Sequence, residues 1–457
     1  MPRRSHPRWQ RLFSPASNLN EPVNRDPRPL AVTQAENLSV SDRLSAKSIS
    51  LVFLAFAAAY FCSALLRAIT ATLAPVLTQE FALQARDLGL LAGGYFLGFA
   101  AVQLPLGTWL DRHGPKQVII WFLSLAVLGC LAFSMASSFA WLLAARMLVG
   151  MGVGACLMAA LTGYRRWFDT STLLRANSWM LMTGSLGMLA STLPVQWLMP
   201  LLGWRPMFWI LAVMILATMG AIAYAVPRWH ADAAAASPSS SEQSSEHSSE
   251  PRTDLPSYAE VWRSPYFRKM SPLAFFNYGG LVAIQTLWAG PWMVQVAGYT
   301  PLEAATGLFW INAVMLGTFW SWGMLNPWLV KHGWPTDRLL LWGVPLSVAS
   351  LAVNIALGAS TGWLGWAVFC MTSSVMGLAQ PTVGMSFRPA LAGRALSAYN
   401  LVIFSGVFCV QWGIGLAIDA FARAGLGPVA RFQAAMGVFL CCCVASYAYF
   451  VSQPGIK

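Results

Sequence analysis

Apolar runs of about 20 residues recur along almost the whole chain, and that recurrence limits the fold more than any local motif does. A run of this length crosses roughly 30 Å of hydrocarbon as an α-helix. Within a bilayer every backbone N–H and C=O must be paired inside the protein, which leaves only helices or closed barrels. The runs lie near 50–74, 88–110, 117–137, 139–161, 177–200 and 205–226, then, after a gap, near 271–297, 303–327, 338–358, 362–386, 394–418 and 431–452. Only 10% of the 457 residues are charged, against about 25% in soluble domains. The expected fold is an all-α membrane protein with twelve transmembrane helices in two pseudo-symmetric six-helix bundles, residues 49–227 and 271–453.

The flanking segments differ in kind. Residues 1–48 are basic and rich in Pro, with no apolar core before Leu51, so a disordered cytoplasmic tail is expected rather than a cleaved signal peptide. Residues 228–270 contain the Ser-rich stretch ADAAAASPSSSEQSSEHSSEP, which buries too little apolar surface to fold, and are expected to form a cytoplasmic linker.

The net charge of +12 invites a nucleic-acid reading. Topology explains it instead. Arg67 and Arg146 lie within spans, Arg86, Arg205, Arg423 and Arg431 lie in loops on one side, and every other Lys and Arg falls in the tails and loops on the other. By the positive-inside rule both termini are cytoplasmic, and no nucleic-acid partner is needed. The eight cysteines all fall inside apolar spans, so neither a disulfide framework nor a metal spacing is expected, and no cofactor motif is present.

A single ungapped offset aligns the two halves. It carries TWLDRHG (Thr108 to Gly114) onto PWLVKHG (Pro327 to Gly333), and it also takes Arg175–Ala176 to Arg394–Ala395, Gly98 to Gly317 and Gly187 to Gly406. Several matches at one offset point to duplication, the sequence mark of many transporters.

PLGTWLDRHGPK (Pro105 to Lys116) resembles the signature loop between helices 2 and 3 of the major facilitator superfamily, with Gly107, Asp111, Arg112, Gly114 and Lys116 in the matching places. The resemblance implies a breakable latch: Gly107 permitting close helix contact, Asp111 facing a helix N-terminus, Arg112 answering a carboxylate or a helix C-terminus. In the second copy Val330 replaces the acid, so the latch is expected to be asymmetric. ARMLVGMGVG (Ala145 to Gly154) resembles the same superfamily's intramembrane Arg followed by glycines. The Gly-Pro antiporter signature of helix 5 is absent from TGSLGMLASTLP (Thr183 to Pro194). RRWFDTSTLLRA (Arg165 to Ala176) and SALLRAITATLAPVL (Ser63 to Leu77) look like regions of organic-anion and nitrate-type members, in which a helix 1 Arg often meets the substrate anion.

A charge at mid-bilayer costs at least about 2.5 to 3.5 kcal/mol, so Arg67 and Arg146 need a reason to be there. Each lies roughly 6 to 9 Å from its helix midpoint, counted at the α-helical rise. Two readings stand for each: contact with an anionic substrate, or hydrogen bonds to backbone carbonyls. No Asp, Glu or His falls mid-span, which removes the usual proton relay and favours exchange, facilitated transport or symport with a protonated substrate. Gln103, Asn312, Gln380, Asn400 and Gln411, with Asn277 and Gln285 of helix 7, are either cavity-wall residues or interhelical hydrogen-bonding partners. Helix 7 has no Arg of the kind that organophosphate exchangers carry, so a phosphate ester is disfavoured.

The expected function is secondary active or facilitative transport of a small solute, an organic or inorganic monoanion, across the cell inner membrane by a monomer that alternates its access. An exporter of amphiphilic drugs or metabolites and a non-transporting membrane sensor are the alternatives. No nucleophile, base and orienter cluster supports an enzyme. The topology has a direct check: a tag at Ser244 should stay unlabelled by an impermeant reagent added to intact cells and become labelled on permeabilisation. Labelling from outside would reverse the orientation.

Overall fold

The computed structural model describes residues 45–227 and 258–453, all helical apart from short connections. The expected tail up to residue 44 and the Ser-rich stretch 237–249 lie outside the described residues.

Helix α1 (Ala46–Phe81) starts where the Ser45 hydroxyl accepts the Ser48 N–H and ends at a left-handed Ala82, φ 49°. It outruns the apolar run at both ends, because hydropathy marks only the part of a helix that matches hydrocarbon, whereas its backbone bonds continue into the polar layer. Next come α2 (Ala85–Ala101) and α3 (Gln103–Ser134). Within α3, Gly114 takes φ 73° just before Pro115. The chain folds back there, since the Trp109 and Phe122 rings lie 5.7 Å apart. The first half is completed by α4 (Phe139–Val153), α5 (Cys156–Trp167), α6 (Thr170–Ala190), α7 (Leu193–Leu202) and α8 (Trp204–Ala225).

The second half opens with α9 (Tyr258–Arg263) and α10 (Pro265–Leu273). The C-terminal part of the expected linker is therefore helical, with Ser264 capping α10 and Pro265 in its first turn. Two π-helical turns, Ala274–Tyr278 and Ile284–Trp288, separate α11 (Gly279–Ala283) and α12 (Ala289–Gln295) from what precedes them. Then follow α13 (Pro301–Lys331), α14 (Thr336–Leu357), α15 (Trp363–Ser373), a 3₁₀ turn, α16 (Ala379–Met385), α17 (Pro389–Arg423) and α18 (Pro428–Ser452).

Among the described residues eight helices are long and apolar enough to cross a membrane, or nine if the pair bent by 41° near Ser191 counts as one span. The other expected spans are covered by shorter pieces: α2 alone, α10 to α12 across the π turns, and α15 with α16 across the 3₁₀ turn.

Lipid gives apolar helices no hydrophobic reason to associate, so close backbone contact at small residues does much of the holding. A Cβ at Gly98 would run into the Met147 carbonyl, and one at Gly150 into the Tyr95 carbonyl, so α2 and α4 press together reciprocally. The duplication has a structural counterpart. Gly333, the partner of Gly114, also takes a positive φ, 79°. Gly187 abuts the Phe61 carbonyl of α1, and its partner Gly406 abuts the Phe275 carbonyl at the start of the second half. Gly98 and Gly317 do not share this behaviour, since a Cβ at Gly317 would meet nothing within 4 Å.

Gly150→Val should therefore destabilise the purified protein by about 1 to 3 kcal/mol, through overpacking against α2. Gly437→Ala, where a Cβ has open space, should change stability by less than about 1 kcal/mol. Thermal unfolding in detergent at equal protein concentration checks both.

Candidate functional site

Arg67 is half-buried on α1. Its guanidinium lies in the electrostatic neighbourhood of three phenols: Tyr60 on its own helix, Tyr95 of α2, and Tyr278 in the first π turn of the second half. Its Nε is buried without a hydrogen-bond partner. Tyr60 stands seven residues before Arg67, two turns back on the same helix face. A π turn inserts an extra residue into the helical repeat and often marks a functional position. Here it holds Tyr278.

Tyr95 is fixed from behind. Its hydroxyl donates to the Ser63 carbonyl at 3.1 Å, and the Arg146 guanidinium lies 5.0 Å from its ring centroid. Arg146 is 1% exposed and donates from Nη2 to the Arg67 carbonyl at 3.5 Å. The order is thus Arg67, Tyr95, Arg146, with the second arginine tying α4 to α1 rather than facing the first. The ion pairs of the described residues involve Arg86, Arg205, Lys269 and Arg388. Neither Arg67 nor Arg146 has a carboxylate partner among them.

The amide candidates separate by burial. Gln380 and Asn400 are both half-buried and joined by a 2.7 Å bond from Gln380 Nε2 to Asn400 Oδ1, linking α16 to α17. One turn along α17, Phe404 packs 4.4 Å from Phe99 and 6.1 Å from Phe96, ring to ring, beside Tyr95. The remaining amides are buried. Gln285 donates to Asn312 at 3.0 Å, Gln411 to Thr286 at 3.0 Å and Asn277 to Ser446 at 2.7 Å. Gln103 bonds the Phe99 carbonyl one turn back, at 3.3 Å. The structure sets Arg67 among the three tyrosines, pairs Gln380 with Asn400, and uses Gln285, Asn312, Gln411 and Asn277 to join helices.

The latch residues are spread out. Asp111 and Arg112 are exposed and make no hydrogen bond or ion pair among the described residues. Lys116 Nζ donates to the Val226 carbonyl at 2.7 Å, answering the C-terminus of α8. A Cβ at Gly107 would meet nothing within 4 Å, so the expected close helix approach does not occur there. At the far end of the bundle the Asp419 carboxylate of α17 accepts the Ala85 and Arg86 N–H groups at 3.2 and 2.9 Å, joining the two halves. Also unforeseen is Lys269, 5% exposed, whose Nζ lies 4.0 Å from Asp337, a carboxylate that accepts the Tyr266 hydroxyl at 2.9 Å. The tyrosines around Arg67 were findable as phenols sharing its face or flanked by glycines. Asp419 and Lys269 sit at the ends of runs, where hydropathy is silent.

Comparison with known proteins identifies the family and the fold. Residues 56–410 match the family model described as Major Facilitator Superfamily. The chain is 25% identical over 451 residues to the probable L-galactonate transporter of Escherichia coli K12, covering 96% of this chain and 88% of the relative. It is 26% identical over 357 residues to the multidrug resistance protein MdtL of Shigella dysenteriae, covering 74% and 87%. In fold it resembles a bacterial homologue of the human lysosomal transporter Spinster, solved inward-facing and unoccupied, with a TM-score of 0.69 at 18% identity over 89% of this chain and 97% of that one. The chain belongs to the Major Facilitator Superfamily.

Proposed function

We propose that this transporter carries a small organic or inorganic monoanion, bound through Arg67 between the two halves. One observation carries the reading: a half-buried guanidinium with a buried, unpartnered Nε and no carboxylate partner among the described residues. Its missing counter-charge is the ligand. Tyr60 and Tyr278 offer hydroxyls around the same point, while Tyr95 gives its own proton to the Ser63 carbonyl. The relative named for L-galactonate, a carboxylate, agrees in charge.

The membrane arrangement we infer is twelve spans in two six-helix bundles, with α2, the broken segment 265–295 and the pair α15 and α16 counted as crossings and both termini cytoplasmic. The state is open to the cytoplasm. Asp419 and the close contact of Gly290 with Ala71 of α1 hold the external end closed, while Asp111 and Arg112 stand free at the other. The inward-facing structural relative supports this assignment. Transport then follows by rocking of the bundles about Arg67. Export of amphiphilic compounds is the second reading, supported by the likeness to MdtL.

Arg67→Lys keeps the charge but loses the planar fork, and should weaken binding of the anion; Arg67→Gln should weaken it by about a hundredfold, the loss of two charge-assisted hydrogen bonds. Neutral ligands should be affected little. Ligand-induced thermal stabilisation across carboxylate, nitrate and neutral candidates reads this, and unchanged anion binding in folded variants would make Arg67 structural.

Asp111→Asn should leave the thermal stability of the inward-open protein within about 0.5 kcal/mol, since Asp111 has no partner in that state. It should slow transport in vesicles at equal protein amount, because the latch would close only in the outward-open state. An unchanged rate would remove the latch.

A further inference from the structure

The four arginines that the positive-inside pattern leaves on the external side do not scatter. Arg205 is held by Glu80 at 2.6 Å and stacks on Trp204. The other three, Arg86, Arg423 and Arg431, line one cleft of about 640 Å³ at the closed end of the bundle, with Asp419 beside them. Cations are rare on this side of a membrane protein, so three in one cleft call for a cause.

Their charge is only partly answered. The Asp419 carboxylate is spent on the backbone N–H groups of Ala85 and Arg86. Arg86 has Asp87 at 3.5 Å. The Arg423 Nε donates to a neutral group, the Asp419 carbonyl, at 3.3 Å. Arg431, half-buried in the first turn of α18, has a buried Nε without a hydrogen-bond partner, and no ion pair among the described residues.

We propose that this cleft is a second anion site, for a small oxyanion or carboxylate gripped by Arg423 and Arg431 with Arg86 opposite. The guanidinium fork suits such a ligand. Arg86 belongs to the first half, Arg423 and Arg431 to the second. A bound anion therefore does from the solvent side what Asp419 does from within: it offsets like-charge repulsion across the closed external gate. By linkage it stabilises the state in which that gate is shut. The site does not depend on the identity of the transported substrate.

The test uses full-length protein carrying Arg67→Gln, which silences the central arginine, and follows thermal unfolding with sodium sulfate against sodium chloride at matched ionic strength. Sulfate should stabilise saturably. Adding Arg431→Gln should raise the half-saturating concentration by about tenfold or more, the loss of a charge-assisted hydrogen bond. Arg423→Gln should raise it as well, Arg431→Lys less, and Lys331→Gln, at the other end of the molecule, not at all. Phosphatidylglycerol added to the micelles in place of sulfate distinguishes a lipid headgroup from a free anion: Arg431-dependent stabilisation by either supports the site and names its source. Stabilisation by neither, or stabilisation indifferent to both Arg431→Gln and Arg423→Gln, overturns it.

Discussion

Two guanidiniums inside a low-dielectric bundle, with no acid paired to either among the described residues, are the constraint to which the surrounding helices conform. An unpaired charge in hydrocarbon is expensive, and the cost falls only when polar groups are fixed around it. Arg146 is met by a backbone carbonyl and an aromatic face, both of which need α1, α2 and α4 in close contact. Gly98 and Gly150 permit that contact, and the Tyr95 carbonyl lies where a Gly150 Cβ would stand. The same packing that gives Arg146 one carbonyl and one ring, leaving its Nε and Nη1 without hydrogen bonds, also holds Tyr95 beside Arg67. A small-residue contact in one half thereby sets which ring stands beside Arg67.

The helical class and the family were legible in the sequence because each rests on a periodic or spaced signal: apolar run length and one loop motif. Helix continuity was not. The breaks at Val102 and the two π turns of segment 265–295 follow from packing between helices, which a hydropathy profile does not contain. The amides show the same limit. Gln285, Asn312 and Gln411 are polar residues in apolar helices whether they face a cavity or each other, and only the three-dimensional arrangement assigns them to interhelical bonds. Arg67 was legible as an expensive charge, but its phenol neighbours come from three separate segments and are assembled by the fold.

The two ends of the bundle use carboxylates differently. At one end Asp419 answers the N-terminus of α2, a charge set against a helix dipole across the interface of the halves. At the motif end Asp111 has the same chemistry available but no partner among the described residues. Where the second copy of the motif carries Val330, that half holds its helix ends together by another device, Lys269 paired with Asp337 under the Phe450 ring. The duplication kept the turn glycines Gly114 and Gly333 and lost the symmetric acid. The first half leaves its motif acid exposed, while the second sets a buried Lys269 against a half-buried Asp337.

The absence of an intramembrane acid near Arg67 among the described residues bears on coupling. If the anion is the counter-charge, the loaded site is neutral and the empty one is not. Closing both gates around an empty site would strand a guanidinium in a medium where even the insertion scales assign about 2.5 to 3.5 kcal/mol to such a charge. At that cost the occluded empty carrier is populated roughly a hundredfold less than the loaded one. Return without cargo is then the slow step, and a carrier whose return is slow without cargo runs fastest when a second anion makes the journey back. On the proposal that the anion is the counter-charge of Arg67, exchange then needs no proton relay.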